Sequence, residues 1–312
     1  MQERVIHTKT LDFLFIKFPI IFPIIYGFIL YSFPGYENFL ILGTLILLAE
    51  PHFGATWPFL INDFNKKKIL SEKFNFIFIP LTIILLSFFL FKFNKNLLYL
   101  LFYLANFYHV TRQSSGVSKL FISKNSQSEV SYHVIVIYIF GVLFGLIGLL
   151  RFQFVNLINI NIFYLNISIL AIILLVCMYY IFKYKNFKNT YLLLTGVLIF
   201  YPVCFVDEPI HAIIMGVTMH YTQYIFITFK INAGRLIEMN NNSTFKYKSF
   251  LTTIAIYGLI MGALSMSNTF NNLTIGYLII IPLIGQLLHF YFDTLLWKFS
   301  DEHNRKVTLK FI

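Results

Sequence analysis

The chain has 312 residues, of which 58% are hydrophobic and only 12% charged, about half the ~25% charged content of soluble domains. Lys and Arg number 24 against 13 Asp and Glu, a net charge of +11, and Phe alone fills 38 positions. This composition excludes a soluble globular domain, a disordered chain and a nucleic-acid binder, and leaves an all-α polytopic membrane protein whose surroundings are membrane lipid.

The N-terminus, Met1 to Lys9, is short and polar and shows no small-residue cleavage site, so no cleaved signal peptide is expected. Ten apolar stretches follow, at 11–33, 37–61, 74–93, 96–120, 129–150, 158–182, 190–206, 208–230, 247–270 and 273–297. Most approach the ~20 residues that a spanning helix needs. The seventh is short. The eighth is entered through Asp207-Glu208-Pro209, with Pro209 suited to a first helical turn. Asn94–Asn96 and Asn240–Ser243 read as loop tips, and the longest polar insert, about 231–246, is itself only a loop. The expectation is therefore one transmembrane domain over 1–312. Cys177 and Cys204 lie in apolar runs outside any CxxC pair, which predicts neither a disulfide framework nor a thiolate metal site.

Charge gives the orientation. With ten helices and both ends in the cytoplasm, one side receives Arg4, Lys9, Lys66, Lys67, Lys68, Lys73, Lys119, Lys124, Lys183, Lys185, Lys188, Lys230, Arg235, Lys246, Lys248, Lys298, Arg305, Lys306 and Lys310. The other receives Lys92, Lys95 and Arg151 with Glu37, Asp207 and Glu208. That asymmetry is the positive-inside pattern.

Of eight histidines, His7 and His303 belong to the terminal segments, His133 to the start of the fifth stretch and His211 to the mouth of the eighth. The remaining four, His52, His109, His220 and His289, fall inside stretches two, four, eight and ten. Polar groups are costly there, so each marks a candidate site. Each lies nine to eleven residues before the polar end of its helix (Asp63, Lys119, Lys230, Lys298). At 1.5 Å per residue all four imidazoles sit roughly 14–16 Å from that end, at one depth on parallel helices. Convergent imidazoles predict a metal site.

One turn beyond them, at i+4, come Thr56, Gln113, Tyr224 and Asp293. Asp293 is the only carboxylate of this layer. It reads as the acceptor for a ligand's second ring N–H, or as a direct ligand. Thr56, Gln113 and Tyr224 are expected to line the oxygen or substrate side. Glu50, two residues from His52, faces elsewhere and reads as a gate or as a partner for a neighbouring helix. Glu208 and His211 are expected to form a surface cap.

Iron(II) on neutral imidazoles leaves positions open for oxygen and substrate, and copper or zinc are alternative occupants. Haem pairs usually stack at two depths in a helix bundle, whereas these depths coincide. The HxxxH and HxxHH clusters of histidine-box desaturases are lacking.

The run Pro51-His52-Phe53-Gly54-Ala55-Thr56 resembles the Pro-His-Gly-x-x-Asp motif of the Brp/Blh-like β-carotene 15,15′-dioxygenases. Tyr108-His109 matches their lone later histidine. His220-Tyr221-Thr222-Gln223-Tyr224 is similar to their HxxxH, with Tyr224 in place of the second histidine, and His289 to Asp293 is similar to their late His-and-Asp segment. The order of motifs agrees over most of the chain. The first motif carries an extra Phe and has Thr56 where the family has Asp. The resemblance implies a bacterial or archaeal cytoplasmic-membrane protein holding one iron through His52, His109, His220 and His289. It also implies an oxidoreductase acting on a carotenoid or another long apolar, lipid-soluble substrate. Two other classes stay open: a proton- or metal-coupled transporter using the histidines as a relay, and a haem-binding electron carrier.

Overall fold

The computed structural model describes residues 8–122, 126–153, 162–238, 243–269 and 277–312. Arg4, His7, Lys124 and the tip at Asn240–Asn242 lie outside the described residues. Among those described, every regular element is helical.

Among the described residues, nine helices are long and apolar enough to cross a membrane. They are α1 (Lys9–Ser32), α2 (Pro34–Leu60), α3 (Phe74–Phe93), α5 (Gln127–Gln153), α6 (Ile162–Tyr184), α7 (Phe187–Cys204), α8 (Pro209–Glu238), α9 (Ser243–Ser265) and α10 (Tyr277–Leu296). The remaining expected stretch forms α4 (Lys95–Phe121), whose 27 residues reach about 40 Å at 1.5 Å each. Length suffices for α4, but its composition is too polar for an apolar span. Asn106, His109, Ser114, Ser115 and Ser118 are all buried on it, so its polarity faces protein.

Turn chemistry sets the ends. Pro34 and Pro209 open α2 and α8, where a missing N–H costs nothing. Asn94 accepts from Leu97 N at 3.1 Å and caps α4, so the Asn/Lys stretch is a tight turn between α3 and α4. Lys185, at φ 50°, makes the reversal into α7, which Asn186 caps.

The chain packs into two compact units. The first holds the chain up to Leu40 and Phe107–Gln223; the second holds Ile41–Asn106 and Tyr224–Ile312. α4 and α8 each contribute a segment to either unit.

In the first unit α7 packs on α5, α6 and the beginning of α1. Phe107 of α4 stacks on Phe200 of α7 at 3.8 Å between ring centroids. Gly216 of α8 sits directly against the Ile199 carbonyl, leaving no room for a side chain. Arg151 donates to the Val203 and Val206 carbonyls at 2.6 and 3.0 Å and to Asp207 at 2.7 Å, fastening the turn between α7 and α8. Glu129 Oε1 accepts from Tyr180 at 2.6 Å, Asn186 at 3.0 Å and Asn189 at 2.8 Å, joining α5, α6 and α7.

In the second unit α9 lies along α2, and α10 packs on α3 and α9. The α2–α9 contact is close because α9 presents Gly258 and Gly262, a G-x-x-x-G pair. A Cβ at Gly258 would stand 2.7 Å from both the Ile46 carbonyl and the Pro51 ring. Opposite, α2 widens into a π-helical turn at Leu45–Ala49 just before Glu50-Pro51. The C-terminal residues fold back onto this unit. Lys68 pairs with Asp301, Lys310 with Glu238 at 2.7 Å, and Asn304 Nδ2 donates to the Leu295 carbonyl at 2.6 Å. Buried Arg235 donates to the Val307 carbonyl at 2.8 Å and the Phe59 carbonyl at 3.0 Å.

Candidate metal centre

The second unit brings together five of the expected site residues. His52 and Thr56 come from α2, Tyr224 from α8, and His289 and Asp293 from α10. His52, Thr56 and His289 are fully buried, and Tyr224 and Asp293 nearly so. The His52 ring packs edge-on against Tyr224 at 4.4 Å and His289 at 4.5 Å.

Three contacts join the others into a chain. His289 Nδ1 lies 2.6 Å from Thr56 Oγ1, Thr56 Oγ1 lies 2.9 Å from Tyr224 Oη, and Tyr224 Oη donates to Asp293 Oδ1 at 2.7 Å. Each hydroxyl has one hydrogen to give. With Tyr224 donating to the Asp293 carboxylate, the Thr56 hydrogen goes to Tyr224 Oη or to Asp293 Oδ1, 3.4 Å away. In either case Thr56 accepts from the Nδ1–H of His289. This arrangement puts the His289 proton on Nδ1, the tautomer of an imidazole that ligates through Nε2. Asp293 Oδ2 stands 3.8 Å from that Nε2, too far for a hydrogen bond and compatible with two donors turned toward one ion.

This assigns roles that spacing alone does not. Asp293 acts on His289 through two hydroxyls. Thr56 and Tyr224, expected to line the substrate side, are the links of that chain. The Tyr224 ring is held by a shell of Ala55, Phe250 and Ile254, with Trp297 packed against it.

The first unit holds the other pair. His109 of α4 and His220 of α8 are buried with ring centroids 6.0 Å apart and planes at 83°. Gln113 lies one turn beyond His109, half-buried. Gln223 donates to the Ile16 carbonyl at 2.8 Å and so ties α8 to α1.

Three other histidines, His133, His211 and His303, contact neighbouring side chains. His133 Nδ1 is 3.3 Å from Ser118 Oγ, and its ring packs on Tyr180. His211 is not part of a surface cap: it is buried, with Nδ1 2.8 Å from Tyr26 Oη, while Glu208 is exposed. The partner of His211 is a tyrosine on α1. His303 Nε2 meets Asn65 Oδ1 at 3.1 Å. Burial lowers the His303 pKa, and neighbouring Lys68 adds to the effect. Burial pushes Asp301 up, but Lys68 and the Asn304 and His303 amides outweigh it and hold the carboxyl below its ordinary value.

Glu50, expected to act as a gate or as a partner for a neighbouring helix, bonds to two of them. It is fully buried, and its Oε1 accepts from Gln286 Nε2 at 2.8 Å and Ser265 Oγ at 3.2 Å. Gln286 is one turn before His289 on α10, a spacing that carries the signal only once Glu50 is known to face that helix.

No family model, curated protein or solved structure matches this chain.

Proposed function

We propose that the protein is a membrane-embedded, metal-dependent oxidoreductase, an oxygenase acting on a long apolar substrate such as a carotenoid or another polyunsaturated lipid. The observation that carries the reading is the hydrogen-bonded chain from His289 through Thr56 and Tyr224 to Asp293. Such a chain orients an imidazole through its Nδ1, as partners of metal-ligating histidines do, and it is buried among apolar helices. The donor set of neutral imidazoles and one carboxylate fits iron(II), with copper or zinc as alternative occupants.

His52 and His289 would hold the ion together with His109 and His220, and Asp293 Oδ2 is the available oxygen donor. When bound, iron supplies activation of oxygen for oxidation of the substrate. The protein's own residues do the rest. Thr56 holds the His289 ring, Tyr224 transmits the Asp293 charge to Thr56, and the Ala55, Phe250, Ile254 and Trp297 shell keeps water from the relay. Gln113 is assigned to the oxygen or substrate side. A lipid-soluble substrate enters laterally from the bilayer. The chain resides in a bacterial or archaeal cytoplasmic membrane with ten spans, α4 included, and both ends inside.

The test is metal content and absorption spectrum of detergent-purified protein, beside a variant with His52, His109, His220 and His289 all changed to Ala. Iron in a one-to-one ratio, absent from the variant and without a Soret band, supports the reading. A Soret band moves the assignment to haem. A folded wild type that retains no metal favours the proton-coupled transporter.

A further inference from the structure

Glu50 lies between α2, α9 and α10, all within the second unit. Its Oε1 accepts from two neutral donors, Gln286 on α10 and Ser265 on α9. Its Oε2 is buried and has no hydrogen-bond partner among the described residues. No Lys, Arg or His among them forms an ion pair with it. A buried carboxyl oxygen without a partner is costly inside a membrane helix and marks a place for a ligand.

The surroundings are those of an ion site. A π-helical turn, Leu45–Ala49, runs directly into Glu50, and Pro51 follows. π-bulges recur at functional sites, and proline removes an N–H that a carbonyl of the preceding turn would otherwise receive. Tyr257 of α9 brings a buried hydroxyl to the same region, with the Trp57 N–H beside it. That hydroxyl rests against α10 at Gly285, where a Cβ would be 2.7 Å away. Gly285 is the neighbour of Gln286. The available donors are a carboxylate and hydroxyls, hard oxygens that suit alkali or alkaline-earth ions better than transition metals. One carboxylate supplies one negative charge, which a monovalent ion neutralises.

We propose that Glu50 anchors a binding site for a monovalent cation, with Ser265 beside it and Gln286 holding the carboxylate from α10. The bound ion clamps α2, α9 and α10, two of which carry His52 and His289. The site is distinct from the histidine centre, and its test does not depend on iron.

The experiment uses the full chain in detergent with EDTA present, so that multivalent ions are absent. Choline chloride is replaced stepwise by NaCl, KCl or LiCl at constant ionic strength, and the thermal midpoint is read from the fluorescence of Trp57 and Trp297. The expected result is a saturable rise with one of the three ions. Glu50→Gln, which keeps the shape and the capacity to hydrogen-bond, abolishes it. Ser265→Ala moves half-saturation severalfold higher. A wild-type midpoint indifferent to all three cations overturns the proposal, as does an equal response in Glu50→Gln. An infrared band of a protonated carboxyl that Glu50→Gln removes also overturns it, since the proton then takes the place of the ion. Where Glu50→Gln fails to fold, the wild-type titration and Ser265→Ala decide.

Discussion

Thr56 is the residue on which the candidate centre turns. Its hydroxyl is both acceptor from His289 Nδ1 and donor to Tyr224 Oη, 2.6 and 2.9 Å away. Thr56→Val keeps the branched shape and removes both bonds. His289 then loses its tautomer constraint and Tyr224 its donor. Loss of such supporting partners typically weakens metal binding ~10–100-fold, while the cost in fold stability stays near the ~1–3 kcal/mol of an orphaned buried polar group. The expected outcome is iron that a chelator strips far more readily from Thr56→Val than from wild type, with an unchanged circular dichroism spectrum. Equal chelator resistance would falsify the relay. Tyr224→Phe breaks the same chain one link later and is expected to behave alike, with Asp293 left as an undonated carboxylate. The sequence makes the membership of this group legible, because helical spacing puts Thr56, Tyr224 and Asp293 one turn from a histidine. It does not reveal the pairing. Spacing fixes which residues share a face of one helix, whereas Thr56 serves the histidine of α10 and not its own His52. The same limit hid the partners of Glu50 and of His211.

At the scale of the elements, glycines mark where helices interlock, and the structure separates those that matter. Gly216 abuts the Ile199 carbonyl, so a methyl group there must displace backbone. Gly116 of α4 has nothing within 4 Å of its added Cβ position. Gly216→Ala is expected to destabilise by at least the ~1–3 kcal/mol of core overpacking. Gly116→Ala is expected to be neutral, or to gain up to about 1 kcal/mol from helix propensity. Thermal midpoints in detergent check both, and a Gly216→Ala protein as stable as Gly116→Ala would contradict the close α7–α8 packing. Hydropathy gives the existence and rough ends of these helices from sequence alone. It is blind to the interlock, because Gly258 and Gly262 count only as small apolar residues until α2 is seen against them. The C-terminal segment supplies a pH test at this scale. His303 and Asp301 both have folded pKa values below their ordinary ones of 6.5 and 3.8. The unfolded segment therefore binds more protons, and docking weakens as pH falls. The loss begins near pH 6.5 with His303, and Asp301 adds to it below about pH 4. The protection of amides in residues 301–312 against exchange, taken relative to the intrinsic rate at each pH, is expected to fall from about pH 7 to pH 5 in wild type. It should change little over that range in His303→Gln, which keeps a donor for Asn65 but does not titrate. An equal fall in both would remove His303 from the account.

For the whole molecule the decisive quantity is the parity of the spans, and it rests on α4. Among the described residues, nine helices qualify as membrane-crossing by length and composition, and α4 qualifies by length alone. Its polar groups, Asn106, His109, Ser114, Ser115 and Ser118, are buried in protein. A helix shielded in this way can cross a bilayer without exposing them, which is how intramembrane polar residues are tolerated. Counting α4 gives ten crossings, so the two ends lie on the same side. Excluding it gives nine and puts them on opposite sides. The charge distribution favours ten, since Lys119, Lys183, Lys185, Lys188, Lys230, Arg235 and Lys298 then share one face with Lys66, Lys67 and Lys68. Without α4, every cation after Lys95 changes sides and the bias reverses along the chain. Reporter fusions active only in the cytoplasm, placed singly at each end of the otherwise intact chain, distinguish the two. Activity at both ends is expected. Activity at one end alone would withdraw α4 from the membrane, and with it the common depth of His109 and the other three imidazoles from which the metal centre was first inferred.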